Sequence, residues 1–402
     1  MRGFTHRSTV AEAWAWIDHH ARPLPAESKS VPHAVGRVLA ADVYSAVDVP
    51  GFDRAMMDGF ALRAAETQGA SAYNPLPFTI VADILPGETF DDELQPGQAA
   101  RIMTGAPLPI GADAVLPVER SRVDGNRMWA QGEVPPEKNV GRRGEDIRAD
   151  QCVLTRGRRL RPQDLGILSS IGHPEVTVVR SPRVRIVVTG NELLPSGQRP
   201  SGVQIVDANG PMLAALVERD GGVLIDHCLL PDDPNRILQA MREDADVVLL
   251  SGGSSVGMED HAPRLLATHG ELAIHGIAMR PSSPSGMGRI DNRFVFLLPG
   301  NPVSCLCAYD FFAGRALRLL AGRAPEWPYP SCRLPLRRKL VSQVGRVDYA
   351  RVIIREGKVE PLAISGASIL SSTSRADGFV VLADDCEGFP AGTEVEVLRY
   401  DD

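Results

Sequence analysis

Between Arg183 and Gly322 the chain alternates continuous apolar runs with amphipathic ones, and no other feature restricts the fold as much. RVRIVVTG, VLIDHCLL, DVVLLSGG and FVFLLPGNP read as strands that end in turn formers. GPMLAALVERDGG, DPNRILQAMREDA, HAPRLLATHG and VSCLCAYDFFAGRALRLLAG read as helices, and ELAIHGIAM continues the alternation. Strands that are apolar throughout are buried on both faces, which a largely parallel sheet wrapped by helices achieves. Ligands of such sheets bind beyond the carboxyl ends of the strands. Chemistry is therefore expected in the loops TGNEL, SGGSSVGMED and LPGNP.

One core does not account for the whole chain. At about 150 residues per domain, 402 residues imply roughly three domains. Glycine and proline number 38 and 32, an excess of turn formers, while 44% apolar residues suffice for real cores; the chain is loop-rich and globular rather than disordered. Residues 8 to 21 read as a helix with Ser8 as N-cap and Val10, Trp14 and Ile17 on one face, so the tryptophans are expected in a core. From Pro50 to Gly141 short apolar pieces such as FTIVADI and GADAVLPV are cut by turn signals, the pattern of a β-rich module. Within it Asp124-Gly125 marks a hairpin. CVLTRG then reads as a strand and Pro162 opens a helix. After the stiff, proline-spaced segment Pro325 to Pro330, alternating pieces such as DYARVIIRE and TEVEVLRY suggest a small β-barrel or sandwich of roughly 70 residues.

The 43 basic and 50 acidic side chains leave a formal charge of −7, which opposes binding by a generally positive surface; nucleic acid is not an expected partner. A small anion remains allowed, because it depends on the local field and on backbone N–H groups in one pocket. No stretch approaches the ~20 apolar residues of a membrane span, and the first residues contain no uninterrupted apolar region of a signal peptide. A soluble, cytoplasmic protein is expected. Cys152, Cys228, Cys305, Cys307, Cys332 and Cys386 form no CxxC pair or zinc spacing and read as free, structural thiols.

Ser251-Gly252-Gly253-Ser254-Ser255-Val256-Gly257 follows a buried strand, and its side-chain-poor backbone can turn N–H groups toward an oxyanion while the serines add donors. A purely structural glycine turn fits the same residues. The segment matches neither a Walker loop nor GxGxxG. Asp260 stands at the start of the next helix, Glu192 follows the first strand, and Asp207 precedes another helix. Each of Asp207 and Asp260 is either an N-cap or a member of an acidic cluster at neighbouring strand ends. Such a cluster requires a cation or a reacting group, and oxygen-only ligands favour Mg²⁺. Leu298-Pro299-Gly300-Asn301-Pro302 ends the last strand and fixes a turn or a pocket wall.

The series FDRAMMDGFAL (52–62), RIMTGAPLPIGADAVLPVE (101–119), NVGRRGEDI (139–147), TGNEL, QIVDAN, SGGSSVGMED and LPGNPVS resembles the MoeA family, also represented by the E domain of gephyrin, in order and spacing over essentially the whole chain. The resemblance implies a multidomain α/β plus β fold. Its parts are a MogA-like α/β domain with a largely parallel sheet (181–325), an inserted β-rich domain (46–141), a connecting domain (1–45 and 142–180) and a C-terminal β-barrel (326–402). It further implies a homodimer with the active site between subunits, Mg²⁺-dependent insertion of molybdate into adenylylated molybdopterin, and release of AMP. Other cofactor-biosynthesis proteins and apo-molybdoenzymes are the partners it suggests.

Motif by motif, the resemblance assigns catalytic carboxylates to Asp58, Asp146, Glu192, Asp207 and Asp260, with Asp58 supplied by the partner subunit and Mg²⁺ held by Glu192, Asp207 and Asp260. Substrate-binding positions fall on Thr189, Gly190, Ser251, Gly252, Gly253, Ser254, Ser255 and Gly257. Arg280, Ser283, Pro299, Gly300, Asn301 and Pro302 continue the set, with Ser368 or Ser371 from the serine-rich loop SGASILSSTSRADGF. Two departures stand out. The family's lysine-rich KPGKP segment is Arg280-Pro281-Ser282-Ser283-Pro284 here, so one cation becomes arginine and the other is lost at Ser283, and Ala208 replaces a small hydroxyl residue. A catalytically weakened paralogue that binds molybdopterin without metal insertion is the alternative that Ser283 supports. A scaffold on the same fold is a further alternative.

Overall fold

The computed structural model describes residues 7–254, 260–363 and 366–401. They form two compact units, one of Lys29–Val35 and Ala41–Val176, the other of Met1–Ser28, Gly36–Ala40 and Thr177–Asp402. No helix among the described residues is long and apolar enough to cross a membrane.

Helix α1 (Val10–His20) opens the larger unit, and its N-cap is Thr9 rather than Ser8. A reciprocal cap needs a glutamate three positions on, which Thr9 has and Ser8 lacks. Thr9 Oγ1 accepts from Glu12 N at 3.1 Å, and Glu12 Oε2 accepts from Thr9 N at 2.7 Å. Val10, Ala13 and Ile17 are buried, while Trp14 and Trp16 pack half-buried on the same core.

The smaller unit is built on a six-stranded sheet. Its strands are β1 (Gly59–Leu62), β2 (Leu76–Ile84), β3 (Gln98–Ile102), β4 (Ala114–Pro117), β5 (Ser121–Asp124) and β6 (Arg127–Ala130), in the order β4-β1-β3-β2-β6-β5. Only β2 and β3 pair in parallel. Apolar residues line both faces, Phe60 and Leu62 on one and Ala61 on the other, as the two-residue period of a strand requires. The expected hairpin is present: Asp124 pairs with Arg127, and Gly125 takes the left-handed φ of +58° that its two-residue turn demands. Helix α2 (Pro162–Ser170) begins at its proline.

The sheet of the larger unit combines β7 (Arg183–Thr189), β8 (Val223–Leu230), β9 (Val247–Ser251), β10 (Glu271–His275), β12 (Gly286–Ile290) and β13 (Arg293–Leu298), in the order β8-β7-β9-β13-β12-β10. A short strand, β11 (Met279–Arg280), lies outside it. The four strands β8, β7, β9 and β13 are parallel; β12 is antiparallel to both of its neighbours. Register decides where chemistry can occur. Thr189 faces Leu230, Val188 faces Ser251, and Ser251 faces Leu298, so the four carboxyl ends lie side by side. Helices α3 (Asn209–Arg219), α4 (Pro234–Arg242), α5 (His261–His269), α6 (Pro302–Ala308) and α7 (Gly314–Leu320) pack around this sheet, with a π-turn over Tyr309–Ala313 between the last two.

The strands β14 (Ser331–Pro335), β15 (Val347–Arg355), β16 (Lys358–Ala363), β17 (Gly378–Leu382) and β18 (Glu394–Arg399) follow. They pair in the order β15-β17-β18-β14, with β16 on the other edge of β15, and a single parallel bridge joins Leu336 to Val359. β11 extends β15 in parallel, setting Arg280 beside Asp348.

Candidate active site

A cavity of about 720 Å³ lies at the aligned ends of the parallel strands, walled by the loops after β7, β8, β9 and β13 and by Ser368. The loop after β9 is shaped by glycine. Gly252 has φ +101°, and a Cβ there would stand 2.4 Å from the carbonyl oxygen of Thr189, so no larger residue fits. Gly253, at φ +54°, continues the turn, and Asp260 Oδ1 lies 3.9 Å from where its Cβ would be. At Gly190 a Cβ would come within 2.8 Å of Glu192 Oε2, which places the Glu192 carboxylate against the backbone of its own loop.

The two acids that precede helices behave differently. Asp207 is buried, and its Oδ1 accepts from the backbone N–H groups of Asn209 and Gly210, both at 2.9 Å; its Oδ2 accepts from His227 Nε2 at 3.1 Å. Asp260 occupies the N-cap position of α5, yet its side chain makes no capping hydrogen bond. Asn209, 5% exposed, joins three loops: its Nδ2 donates to Ser251 Oγ at 2.9 Å and to Gly300 O at 2.8 Å. Ser251 Oγ lies 3.5 Å from Pro299 O and 3.7 Å from Cys305 Sγ, whose thiol burial pushes up to about 12. Thr189 Oγ1 and Asn209 Oδ1 are buried without a partner among the described residues.

Four carboxylates line this cavity, on Glu192, Asp207, Asp232 and Asp260; among the described residues no lysine or arginine does. An anion meets backbone N–H groups, hydroxyls and acids there.

Comparison with known proteins decides the family. Residues 8–172 match the model of the MoeA N-terminal region (domain I and II), residues 185–318 that of a probable molybdopterin binding domain, and residues 333–400 that of the MoeA C-terminal region (domain IV). Molybdopterin molybdenumtransferase 2 of Mycobacterium tuberculosis is 33% identical over 98% of both chains. The chain belongs to the MoeA family. A Staphylococcus aureus molybdopterin molybdenumtransferase is 28% identical over 97% of this chain and 94% of its own. Two structures of a MoeA protein from Pyrococcus horikoshii superpose with TM-scores of 0.85 and 0.81, at 31% and 30% identity, covering 99% and 98% of this chain and 100% of theirs.

In this MoeA chain the cavity gathers most of the expected positions: Thr189, Gly190, Glu192, Asp207, Ser251 to Ser254, Asp260, Pro299 to Pro302 and Ser368. Ser255 and Gly257 lie outside the described residues. The other expected positions lie as follows. Asp207 lines the cavity while both of its oxygens accept from N–H donors; among the described residues no three metal-binding side chains converge. Ser251 Oγ belongs to the scaffold of the loops rather than to an open cradle. Arg280 and Ser283 are not in the cavity wall: Arg280 Nη2 donates to the buried Asp348 Oδ2 at 2.7 Å, and Pro284 takes the lining position. Opposite charge at the β11–β15 pairing draws the guanidinium toward the C-terminal strands. Ser371 also lies outside the wall, exposed at the start of a short helix (Ser371–Ser374), whereas Ser368 is held there by its neighbour, Ala367 O accepting from Val303 N at 3.0 Å.

Asp58 and Asp146 belong to the smaller unit. Thr104 donates to Asp58 Oδ1 from both its hydroxyl and its backbone N–H, each at 2.7 Å, which holds that exposed carboxyl below its ordinary range. Asp146 is exposed, its backbone N–H tied to Val49 O at 3.1 Å. Sequence reasoning missed Asp232, Asn209 and His227. For Asp232 the signal was available: it stands two residues after a strand that ends at the same level as Thr189.

Proposed function

We propose that this chain catalyses the last step of molybdenum cofactor synthesis, inserting molybdate into adenylylated molybdopterin with release of AMP. The observation that carries the reading is the cavity at four aligned strand ends, walled by glycine turns and four carboxylates. The M. tuberculosis and S. aureus relatives named as molybdopterin molybdenumtransferases support it. The chain's residues would act by positioning. Gly252 and Gly253 bring backbone N–H groups close to a phosphate, Asn209 and the Pro299–Pro302 turn shape the opposite wall, and Thr189 Oγ1 offers a hydrogen bond to the ligand. A water oxygen attacks the adenylate phosphorus and loses its proton to solvent; the new P–O bond makes AMP, and the bond to the bridging oxygen breaks, leaving that oxygen on the phosphate of the pterin.

The donor set suits Mg²⁺, which binds through one or two carboxylates together with substrate phosphates rather than in an all-protein cage. Of the lining acids, Glu192 and Asp260 are the ones that would hold it, and when bound it would neutralise charge on the phosphates. In the same proposal Asp58 reaches the cavity from the partner of a homodimer.

A second reading, a weakened paralogue that binds the pterin without inserting metal, is favoured by the lack of a lining cation among the described residues. One assay separates them. Purified protein with adenylylated molybdopterin, Mg²⁺ and molybdate is expected to yield AMP and a cofactor that activates an apo-molybdoenzyme, and chelation of Mg²⁺ to abolish both. Pterin binding with no AMP at any molybdate concentration would establish the second reading instead.

A further inference from the structure

We propose that His227 is a positioning residue of this cavity: through Asp207 it fixes Asn209 as the acceptor that reads a hydrogen-bond donor of the bound pterin nucleotide. The inference rests on the proposed reaction and names a specificity element within the same site.

A carboxylate only accepts, so His227 Nε2 carries the hydrogen that it shares with Asp207 Oδ2 at 3.1 Å. With Oδ1 already held by two backbone N–H groups, this bond stops the carboxylate from turning, and the first residues of α3 are clamped to β8. The packing is as tight as the bonding. A Cβ on Gly210 would lie 2.0 Å from His227 Nε2 and 2.4 Å from Asp207 Oδ2, so the ring sits directly over the helix start and only glycine fits beneath it.

That clamp sets the orientation of the neighbouring amide. Gly300 O cannot donate, so the Asn209 group 2.8 Å from it is the NH₂, which also reaches Ser251 Oγ. Both N–H bonds are then used, and Oδ1 is the end left over. It is buried in the cavity wall with no partner among the described residues. Buried acceptors are rarely left unmade, and one in a cavity wall marks where a ligand donor arrives. A pterin nucleotide offers ring N–H and hydroxyl groups of that kind.

The test compares His227→Leu, which removes the donor, with His227→Gln, whose amide N–H can reach the place of Nε2. AMP release from adenylylated molybdopterin is followed for KM and kcat, beside the melting midpoint. His227→Leu is expected to raise KM about five- to tenfold, the effect of one lost hydrogen bond, with kcat little changed, and His227→Gln to restore it. A second variant, Asn209→Ala, completes a double-mutant cycle: if His227 acts through Asn209, adding His227→Leu to it raises KM no further. Should His227→Leu not fold, His227→Asn, too short to reach Asp207, takes its place in the cycle. Wild-type KM in the donor-lacking variant, or additive effects in the cycle, would overturn the proposal. If the wild-type protein releases no AMP, the reaction itself fails, and the Kd of the same variants for adenylylated molybdopterin, by calorimetry, reads the clamp independently.

Discussion

Asp207 and Asp260 show how little a residue's place in sequence says about its task. Both precede a helix, and for both the sequence allows a cap or a ligand. The structure separates them by hydrogen bonding: Asp207 spends both oxygens on N–H donors, whereas Asp260 caps nothing and faces the glycine turn. Asp260→Asn is expected to reduce AMP release by about a hundredfold, as for loss of a charged transition-state contact, and to cost less stability than loss of the Asp207 cap. Asp207→Ala is expected to destabilise the protein by about 1 to 2 kcal/mol, the cost of a lost helix cap, as read by chemical denaturation. Equal losses of stability in the two variants would refute the distinction. Arg280 is a residue whose charge was legible and whose direction was not, because its partner, Asp348, is 68 positions away.

At the scale of elements, helix α2 shows local sequence and tertiary geometry acting together. Pro162 announces the start, and Asp164, three residues after Arg161, accepts from the Arg161 N–H at 2.9 Å. Arg158 adds a bidentate grip at 3.0 and 2.8 Å. The Arg158 hydrogen bonds lead in lowering the Asp164 pKa from 3.8 to about 2, against burial, which alone would raise it. A depressed folded-state pKa contributes stability that is whole above 3.8 and is lost as pH falls through about 2. Arg158→Ala is expected to lower the denaturation midpoint above pH 3.8, with the gap to wild type closing toward pH 2. A gap that stays constant with pH would contradict this. The strands of the larger sheet were readable for a different reason: apolar runs with glycine-rich ends persist whatever packs on them. Their register was not readable, and it is the register that sets Thr189, Leu230, Ser251 and Leu298 level.

For the whole molecule, the shared-site proposal makes a prediction no single chain can satisfy. Asp58→Ala and Asp260→Ala proteins, each inactive alone, are expected to regain part of the AMP-releasing activity when unfolded and refolded together, because mixed dimers then contain one intact site. No recovery despite mixed dimers detected by mass would place both acids in the same subunit. Family membership and the loops that wall the cavity were legible from motifs in series, since turns and strand ends need particular residue types locally. Local periodicity likewise determined which segments became strands and helices. Tertiary structure alone decided that Asp207 meets His227, that Asp232 and Asn209 line the cavity, and that Arg280 does not. These outcomes depend on side chains from distant segments meeting within about 3 Å, a distance set by packing and register that no run of neighbouring residues encodes.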